Sequence, residues 1–313
     1  MDQRQFVDDR PRRALIIHNP VSGRVRSHRL VSEVASRLRG RGWTIEVAQT
    51  RRGGDATALA LEAVRDQYPL VVAAGGDGTI NEVLQPLVET GVTLGVLPVG
   101  TVNLWAAETG IPAHPASLAA LLDRRSERWV DVGQIGSRYF LLMASVGFDA
   151  AVVAAVSGRL KQRFGRFSYA VAASNLAPGY RGTWIRLRLD GRETRMSVLV
   201  LLIGNTRRYA GSWQPIRHAV ADDGALDVLA IRGTRVWSGI PQVGALFRPS
   251  ANQWPALFWG RAREIEIESE SPIPVQMDGD AAGSAPARVI AVPRALRVVV
   301  GDYGGSLFGA KSE

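Results

Sequence analysis

The sequence predicts an α/β protein in two parts: a doubly wound α/β domain over residues 1–130 and an antiparallel β-sandwich domain over residues 131–313. Three observations carry that prediction. The chain has 313 residues, 46% hydrophobic and 21% charged, which is too long for one small core and too apolar for disorder. In the first part, continuous apolar runs alternate with segments of helical periodicity, the pattern of parallel strands covered on both faces. Beyond Asp131 the runs are short and separated by turn residues, as in a sandwich.

Residues 14–18 read as the first strand, which ends in the turn Asn19-Pro20-Val21-Ser22-Gly23. Leu30, Val31, Val34 and Leu38 recur at helical spacing over residues 28–38, and Gly40 and Gly42 close that helix. Residues 44–48 alternate as a strand, and residues 55–64 are helical. A continuously apolar strand at 70–74 is cut off by Gly75-Gly76 and followed by a helix over 80–88, a strand over 93–98 and a loop at Gly100. In the second part, residues 184–189 set Ile185, Leu187 and Leu189 on one face and arginines on the other. The chain then turns at Asp190-Gly191 and runs on as a strand over 196–203. Further strands are expected at 226–231, 264–267, 273–276, 289–292 and 296–300, with one helical stretch between Ala150 and Leu176.

Composition narrows the function. There is no cysteine, which excludes disulfides, thiolate metal sites and cysteine nucleophiles, and the four histidines are scattered, which argues against a histidine-rich zinc site. The net charge of +9 is carried by 36 arginines and only two lysines, Lys161 and Lys311. The basic residues form no dense block of the kind a nucleic-acid arm shows, so no nucleic acid is expected as a partner. The sign instead favours nucleotide phosphates and an acidic lipid surface. The first residues lack the basic-then-apolar order of a signal peptide, and the longest apolar stretch, 140–156, is interrupted by Ser145, Gly147 and Asp149. A cytoplasmic protein that touches a membrane without crossing it is expected.

Ala73-Ala74-Gly75-Gly76-Asp77-Gly78-Thr79 carries the clearest chemistry. A strand that ends in glycines and opens into a helix leaves unpaired backbone N–H groups at the helix start, and their partial positive charge suits a phosphate. The glycines permit close backbone approach, Thr79 can cap and donate a hydroxyl, and Asp77 can hold Mg²⁺ directly or through water. Gly78-Thr79-Ile80-Asn81 has an echo in Gly100-Thr101-Val102-Asn103, again after an apolar strand.

Taken in order, Asn19-Pro-Val-Ser-Gly23, Gly75-Gly-Asp-Gly-Thr79 with Asn81-Glu82, Pro98-Val-Gly-Thr101 with Asn103, Gly147-Phe-Asp149, Asp222-Asp-Gly224 with Leu226-Asp227, and Gln276-Met-Asp-Gly-Asp280 resemble the diacylglycerol kinase catalytic family. The match is nearest to soluble bacterial lipid kinases, relatives of sphingosine and ceramide kinases, and spans residues 14–300. The resemblance implies a nucleotide domain like that of NAD kinases and phosphofructokinases, a lipid-binding sandwich, and an active site in the cleft between them. It implies an ATP site formed by Asn19, Ser22, Gly23, Thr50, Gly75, Gly76, Asp77, Gly78, Thr79, Asn81, Glu82, Gly100, Thr101 and Asn103. It assigns the acceptor of the lipid hydroxyl proton to the loop of Asp278 and Asp280, with Asp278 slightly favoured and Asp280 standing where glutamate is usual. A structural Mg²⁺ is implied on the Asp223 carboxylate and the backbone carbonyls of Val220 and Ala225. Asp131 is implied in a water-mediated Mg²⁺ network with Asp77.

The chain departs from that pattern at Leu104, where an aspartate commonly completes the network. The expected activity is therefore Mg²⁺-dependent transfer of the ATP γ-phosphoryl group to a lipid hydroxyl. The alternatives are an NAD kinase-like enzyme, which shares the glycine-rich loop, and a lipid-binding regulator of weak activity, which Leu104 suggests. A homodimer is left open. For contact with a membrane the sequence offers residues 159–169, with Lys161, Arg163 and Arg166 beside Phe164 and Phe167, and residues 247–259, with Trp254, Phe258 and Trp259.

Overall fold

The structure, a computed structural model, describes residues 11–23, 25–156, 167–209, 211, 213–248, 253–302 and 307–309. The apolar runs of the first part form parallel strands. β1 (Arg13–His18) lies between β2 (Thr44–Gln49) and β3 (Leu70–Gly75), with Ile16 opposite Val47 on one side and Val72 on the other. β3 pairs in turn with β4 (Thr93–Pro98), Val72 opposite Gly95. β1, β3 and β4 are buried almost throughout, which is why their sequences lack a polar alternation. Helices α1 (Val25–Arg39), α2 (Asp55–Arg65) and α3 (Asp77–Leu84) make the connections, and α4 (Leu104–Thr109) and α5 (Pro115–Arg124) follow β4. The order β2-β1-β3-β4 reverses between β1 and β3, so the loops leaving these two strands diverge from one point, where open α/β sheets usually take their ligand.

Two compact units result. The first comprises Met1–Ala106, Ile111–Arg128 and Leu296–Gly301; the second comprises Ala107–Gly110, Trp129–Ala295 and Asp302–Glu313.

The second unit holds β5 (Glu127–Ile135) for most of its length, β6 (Arg138–Phe140), β7 (Met143–Gly147), α6 (Phe148–Ala155), α7 (Phe167–Leu176), β8 (Thr183–Leu189) and β9 (Arg192–Gly204). β10 (Leu226–Arg232), α8 (Val236–Ala245), β11 (Leu257–Ala262), β12 (Glu264–Ser269), β13 (Ile273–Met277), β14 (Asp280–Ala285) and the first part of β15 (Ala287–Val299) complete it. Its pairs β5–β6, β7–β9, β8–β9, β9–β10, β10–β11, β8–β12, β12–β15, β13–β14 and β7–β13 are antiparallel. The long β9 pairs β8 through Arg192–Val198, β7 through Val200–Gly204, and β10 along its other edge. Ile185 and Leu187 of β8 face a core shared with Leu201, Ile203, Val228, Ile265, Ile267 and Val275. The outward Arg186 and Arg188 pair with Glu268 and Glu266 of β12 at 2.7 and 2.9 Å.

Three expectations shift. The helix foreseen at 80–88 is α3, which starts at Asp77, because Gly76 supplies an extended N-cap residue. The strands foreseen at 289–292 and 296–300 are the single β15, in which Arg294 adopts a left-handed φ of 49° after Pro293. That strand pairs β12 through Ala287–Ile290 and β4 through Arg297 and Val298. The basic and aromatic residues Lys161, Arg163, Phe164 and Arg166 lie outside the described residues.

Candidate active site

In the first unit, three strand-end loops pack on one another closely enough to require glycine. The Asn19 N–H donates to the Ala74 carbonyl at 2.9 Å, and the Asn19 side-chain amide donates to the Thr79 hydroxyl at 3.1 Å. Gly23 has a φ of 71°, and a Cβ there would stand 2.2 Å from the Val99 carbonyl oxygen. The Gly100 N–H donates to the Gly75 carbonyl at 3.1 Å, and a Cβ on Gly100 would lie 2.5 Å from the Gly76 Cα. Asn103 closes its own loop, accepting the Gly100 N–H at 3.0 Å and donating to its carbonyl at 2.7 Å. Asn19, Ser22, Gly23, Gly75, Gly76, Thr79, Gly100 and Asn103 are thus brought into one cluster at the switch point of the sheet, and Thr101 is exposed beside it. A Cβ on Gly78 would meet nothing within 4 Å, so space lies open over the start of α3.

Three predicted residues have other partners. Glu82 accepts the Gly54 N–H at 3.0 Å and so ties α3 to the start of α2, while Asn81 is buried and receives Gln85 at 3.2 Å. Thr50, buried at the end of β2, donates its N–H to the His18 carbonyl at 3.0 Å.

Asp77 is held by backbone. Its carboxylate accepts the Leu104 N–H at 3.0 Å and the Trp105 N–H at 3.3 Å, capping α4. Burial raises its pKa above the ordinary aspartate value, and these amide bonds oppose the rise. Each carboxylate oxygen accepts one N–H and keeps a second lone pair, so the side chain fits a Mg²⁺ met directly or through water.

In the second unit, β13 and β14 form a hairpin whose two-residue turn is Asp278-Gly279, both with positive φ, 48° and 86°. The Asp278 carboxylate accepts the N–H groups of Leu141, Leu142 and Met143 at 2.9, 3.0 and 2.9 Å. Asn205 fixes those donors, taking its own N–H to the Leu142 carbonyl and its side-chain amide to the carbonyls of Leu141 and Asp131. Asp280 opens β14 and is exposed. Beside the turn lies a network that sequence reasoning did not assign: Tyr209 and Ser145 donate to Asp149, and the Gln276 amide donates to Ser145 and Asp149 while accepting the Gly279 N–H at 2.8 Å. Burial and the Asp149 charge raise the Tyr209 pKa well above its usual value. The motif residues Asp149 and Gln276 were a signal; Tyr209 had none.

Asp131 accepts the N–H groups of Gly224 and Arg294 at 2.5 and 2.7 Å, so it is grouped with the 222–227 turn. Asp223 pairs with Arg261, and Asp222 accepts the Gly309 N–H at 2.7 Å. Asp227 is pushed up to about 6, chiefly by burial and also by Asp223, against the opposing pull of Arg261 and His218. Asp131 is raised by burial and by Asp223 and Asp222. Oxygen donors for a cation are present at this turn in Asp223 and in the backbone carbonyls of Val220 and Ala225, and a cation there would take the place that Arg261 holds on Asp223. Mg²⁺ is accordingly expected to raise the melting temperature of the wild type, and Asp223→Ala to abolish that rise in thermal melts without nucleotide. An equal rise in both proteins would contradict a cation at this turn.

Comparisons with known proteins agree with the two units. Residues 13–135 match the diacylglycerol kinase catalytic domain, and residues 143–300 match the YegS C-terminal NAD kinase beta sandwich-like domain. The chain is 28% identical over 292 residues to the diacylglycerol kinase of Bacillus subtilis (strain 168), covering 92% of this chain and 96% of the relative. It is 27% identical over 293 residues to that of Staphylococcus carnosus (strain TM300), covering 92% and 94%. Its fold is similar to the crystal structure of a diacylglycerol kinase from Bacillus anthracis str. Sterne, with a TM-score of 0.74 and 22% identity over 93% of this chain and 97% of that one.

Proposed function

Because the chain belongs to the diacylglycerol kinase catalytic-domain family and is a lipid kinase, we propose that it transfers the γ-phosphoryl group of ATP to a hydroxyl of a diacylglycerol or sphingoid-type lipid. The observation that carries this reading is the pairing of two kinds of site in one chain: a glycine-packed cluster of strand-end loops, and a hairpin turn that presents two carboxylates.

In the first unit, the loops of Asn19–Gly23, Gly75–Thr79 and Gly100–Asn103 hold the phosphates through backbone N–H groups and the hydroxyls of Ser22, Thr79 and Thr101. Asp77 would hold a nucleotide-bound Mg²⁺, directly or through water, and the metal would supply positive charge to offset that of the phosphates. The lipid hydroxyl oxygen attacks the γ-phosphorus, the bond to the bridging oxygen of ADP breaks, and the hydroxyl proton passes to a carboxylate of the Asp278–Asp280 turn. Little covalent work falls to the protein in such a transfer, so fixed placement counts most. The three amides on Asp278 and the Gln276 bond to Gly279 support that reading by making the turn rigid. Among the described residues no helix is long and apolar enough to cross a membrane, so contact with the lipid is proposed to be peripheral.

Asp77→Asn tests the nucleotide side. It is expected to lower kcat by a factor of about a hundred or more, and also to cost about 1 kcal/mol of stability because one of the two oxygens that accept the Leu104 and Trp105 N–H groups becomes an NH₂. A kcat within about twofold of the wild type would remove Asp77 from the mechanism. The acceptor is identified by incubating the protein with ATP labelled at the γ-phosphoryl group and, separately, diacylglycerol, a sphingoid base and NAD. Label in a lipid is expected; label only in NADP would replace this reading with that of an NAD kinase.

A further inference from the structure

Helix α8 is seated the wrong way round for a helix in a water-facing protein. Its small residues Gly239 and Ala245 are buried, Gly239 so close to Leu199 that a Cβ would lie 2.9 Å from its Cδ1. Its large apolar residues point outward: Trp237, Ile240 and Val243 are 58%, 58% and 38% exposed, and Phe247 just beyond the helix is 64% exposed. At spacings of three and four they share one face. Such a face needs a cover.

Charge says what covers it. Between Asp227 and Glu264 there is no acidic residue, and of the arginines in that interval Arg232, Arg235 and Arg248 flank α8 in sequence and are exposed. Arg235 stands at the N-cap of α8, and the Arg248 guanidinium lies over the Trp254 ring at 5.8 Å. Aromatic rings with arginines around an apolar patch suit the boundary of an anionic bilayer, where rings enter the headgroup level and arginines meet phosphates. Trp254, Phe258 and Trp259 are only partly exposed, and Phe258 packs against the sandwich core, so the outward surface in this region is α8 with Phe247.

A chain of contacts connects the face to the carboxylate turn. Phe247 stacks on Trp213 with centroids 6.0 Å apart, and Trp213 meets Tyr209 edge-on at 5.8 Å. Tyr209 bonds Asp149, Asp149 bonds Gln276, and Gln276 holds Gly279. We propose that the outward face of α8, Trp237, Ile240, Val243 and Phe247 with Arg235 and Arg248, docks the protein on an anionic lipid surface. The proposal rests on the lipid-kinase reading and extends it by naming where the substrate's bilayer is met.

The test is co-sedimentation of the full chain with vesicles of phosphatidylcholine, alone or with about 30% phosphatidylglycerol, at low and high salt. The wild type is compared with Trp237→Ser/Ile240→Ser/Val243→Ser, whose substituted side chains are exposed, and with Arg235→Ala. The wild type should bind only the anionic vesicles and lose binding with salt. The triple variant should bind about tenfold or more weakly, and Arg235→Ala about fivefold. On a short-chain, water-soluble diacylglycerol the triple variant should match the wild type within about twofold, while its rate on vesicle-borne substrate falls with its binding. Should neither protein phosphorylate any lipid while the vesicle binding still differs, docking stands and the kinase reading fails. Equal vesicle binding by wild type and triple variant, or binding indifferent to anionic lipid and salt, would overturn the docking face. So would a wild-type dimer that the triple variant abolishes, with no vesicle binding, since a second copy would then be the cover.

Discussion

Asp278→Asn is expected to lower kcat by about 10²–10⁴ on a lipid substrate, and to lower the melting temperature as well. The two effects have separate causes. A carboxylate has only acceptors to offer, and Asp278 directs them at three backbone N–H groups. Asparagine sets an NH₂ among those donors, and a buried donor facing a donor costs about 1–3 kcal/mol. The backbone is not the cause, because asparagine tolerates the positive φ of 48° as well as aspartate does. The loss of turnover comes from the charge: without it the turn neither orients nor accepts the hydroxyl proton. Asp280→Asn separates the roles, since Asp280 is exposed and its substitution should leave the melting temperature unchanged while kcat falls about tenfold or more. If Asp278→Asn, corrected for the folded fraction, turns over within about twofold of the wild type, Asp278 is not the acceptor, and the same result from Asp278→Asn/Asp280→Asn would exclude the turn.

Gly100→Ala is expected to raise the KM for ATP more than about tenfold. The added methyl would stand 2.5 Å from the Gly76 Cα, 2.9 Å from the Asn103 Oδ1 and 3.0 Å from the Gly76 nitrogen. Two of these are backbone atoms that cannot swing aside, so the Gly75–Thr79 and Gly100–Asn103 loops must separate. That moves the N–H groups proposed to hold the phosphates. Gly78→Ala is the control for folding: its methyl meets nothing within 4 Å, and the melting temperature should hold. If the phosphates occupy that open space, Gly78→Ala still weakens ATP binding. Unchanged ATP kinetics in Gly100→Ala would separate these loops from the nucleotide.

The parts of the site visible in the sequence are those that short-range rules decide. Gly75-Gly76 after an apolar strand is a local pattern and α3 opens there, while Asp278 and Asp280 were foreseen on a loop, which proves to be a hairpin turn into β14. The partners of Asp77 were not legible, because the Leu104 N–H lies 27 residues away and is reached only through close packing of two loops. The Asp149 network was hidden for the same reason: Ser145, Asp149, Tyr209 and Gln276 come from β7, α6, the segment after β9, and β13. The bonds of Asp131 to the Gly224 and Arg294 N–H groups, 93 and 163 residues away, were equally illegible. The outward face of α8 escaped notice because periodicity reveals a stripe without saying which side is wet. Here the large residues take the wet side.

The central claim is that this chain moves a phosphoryl group from ATP to a lipid hydroxyl with the help of the Asp278–Asp280 turn. Phosphorus NMR of ATP, Mg²⁺ and diacylglycerol with the wild type and with Asp278→Asn tests it most directly. With the wild type, the account predicts a lipid phosphomonoester appearing in step with ADP, and with the variant neither signal on the same timescale. ADP accompanied only by inorganic phosphate, or the same phosphomonoester at the same rate from the variant, would contradict it.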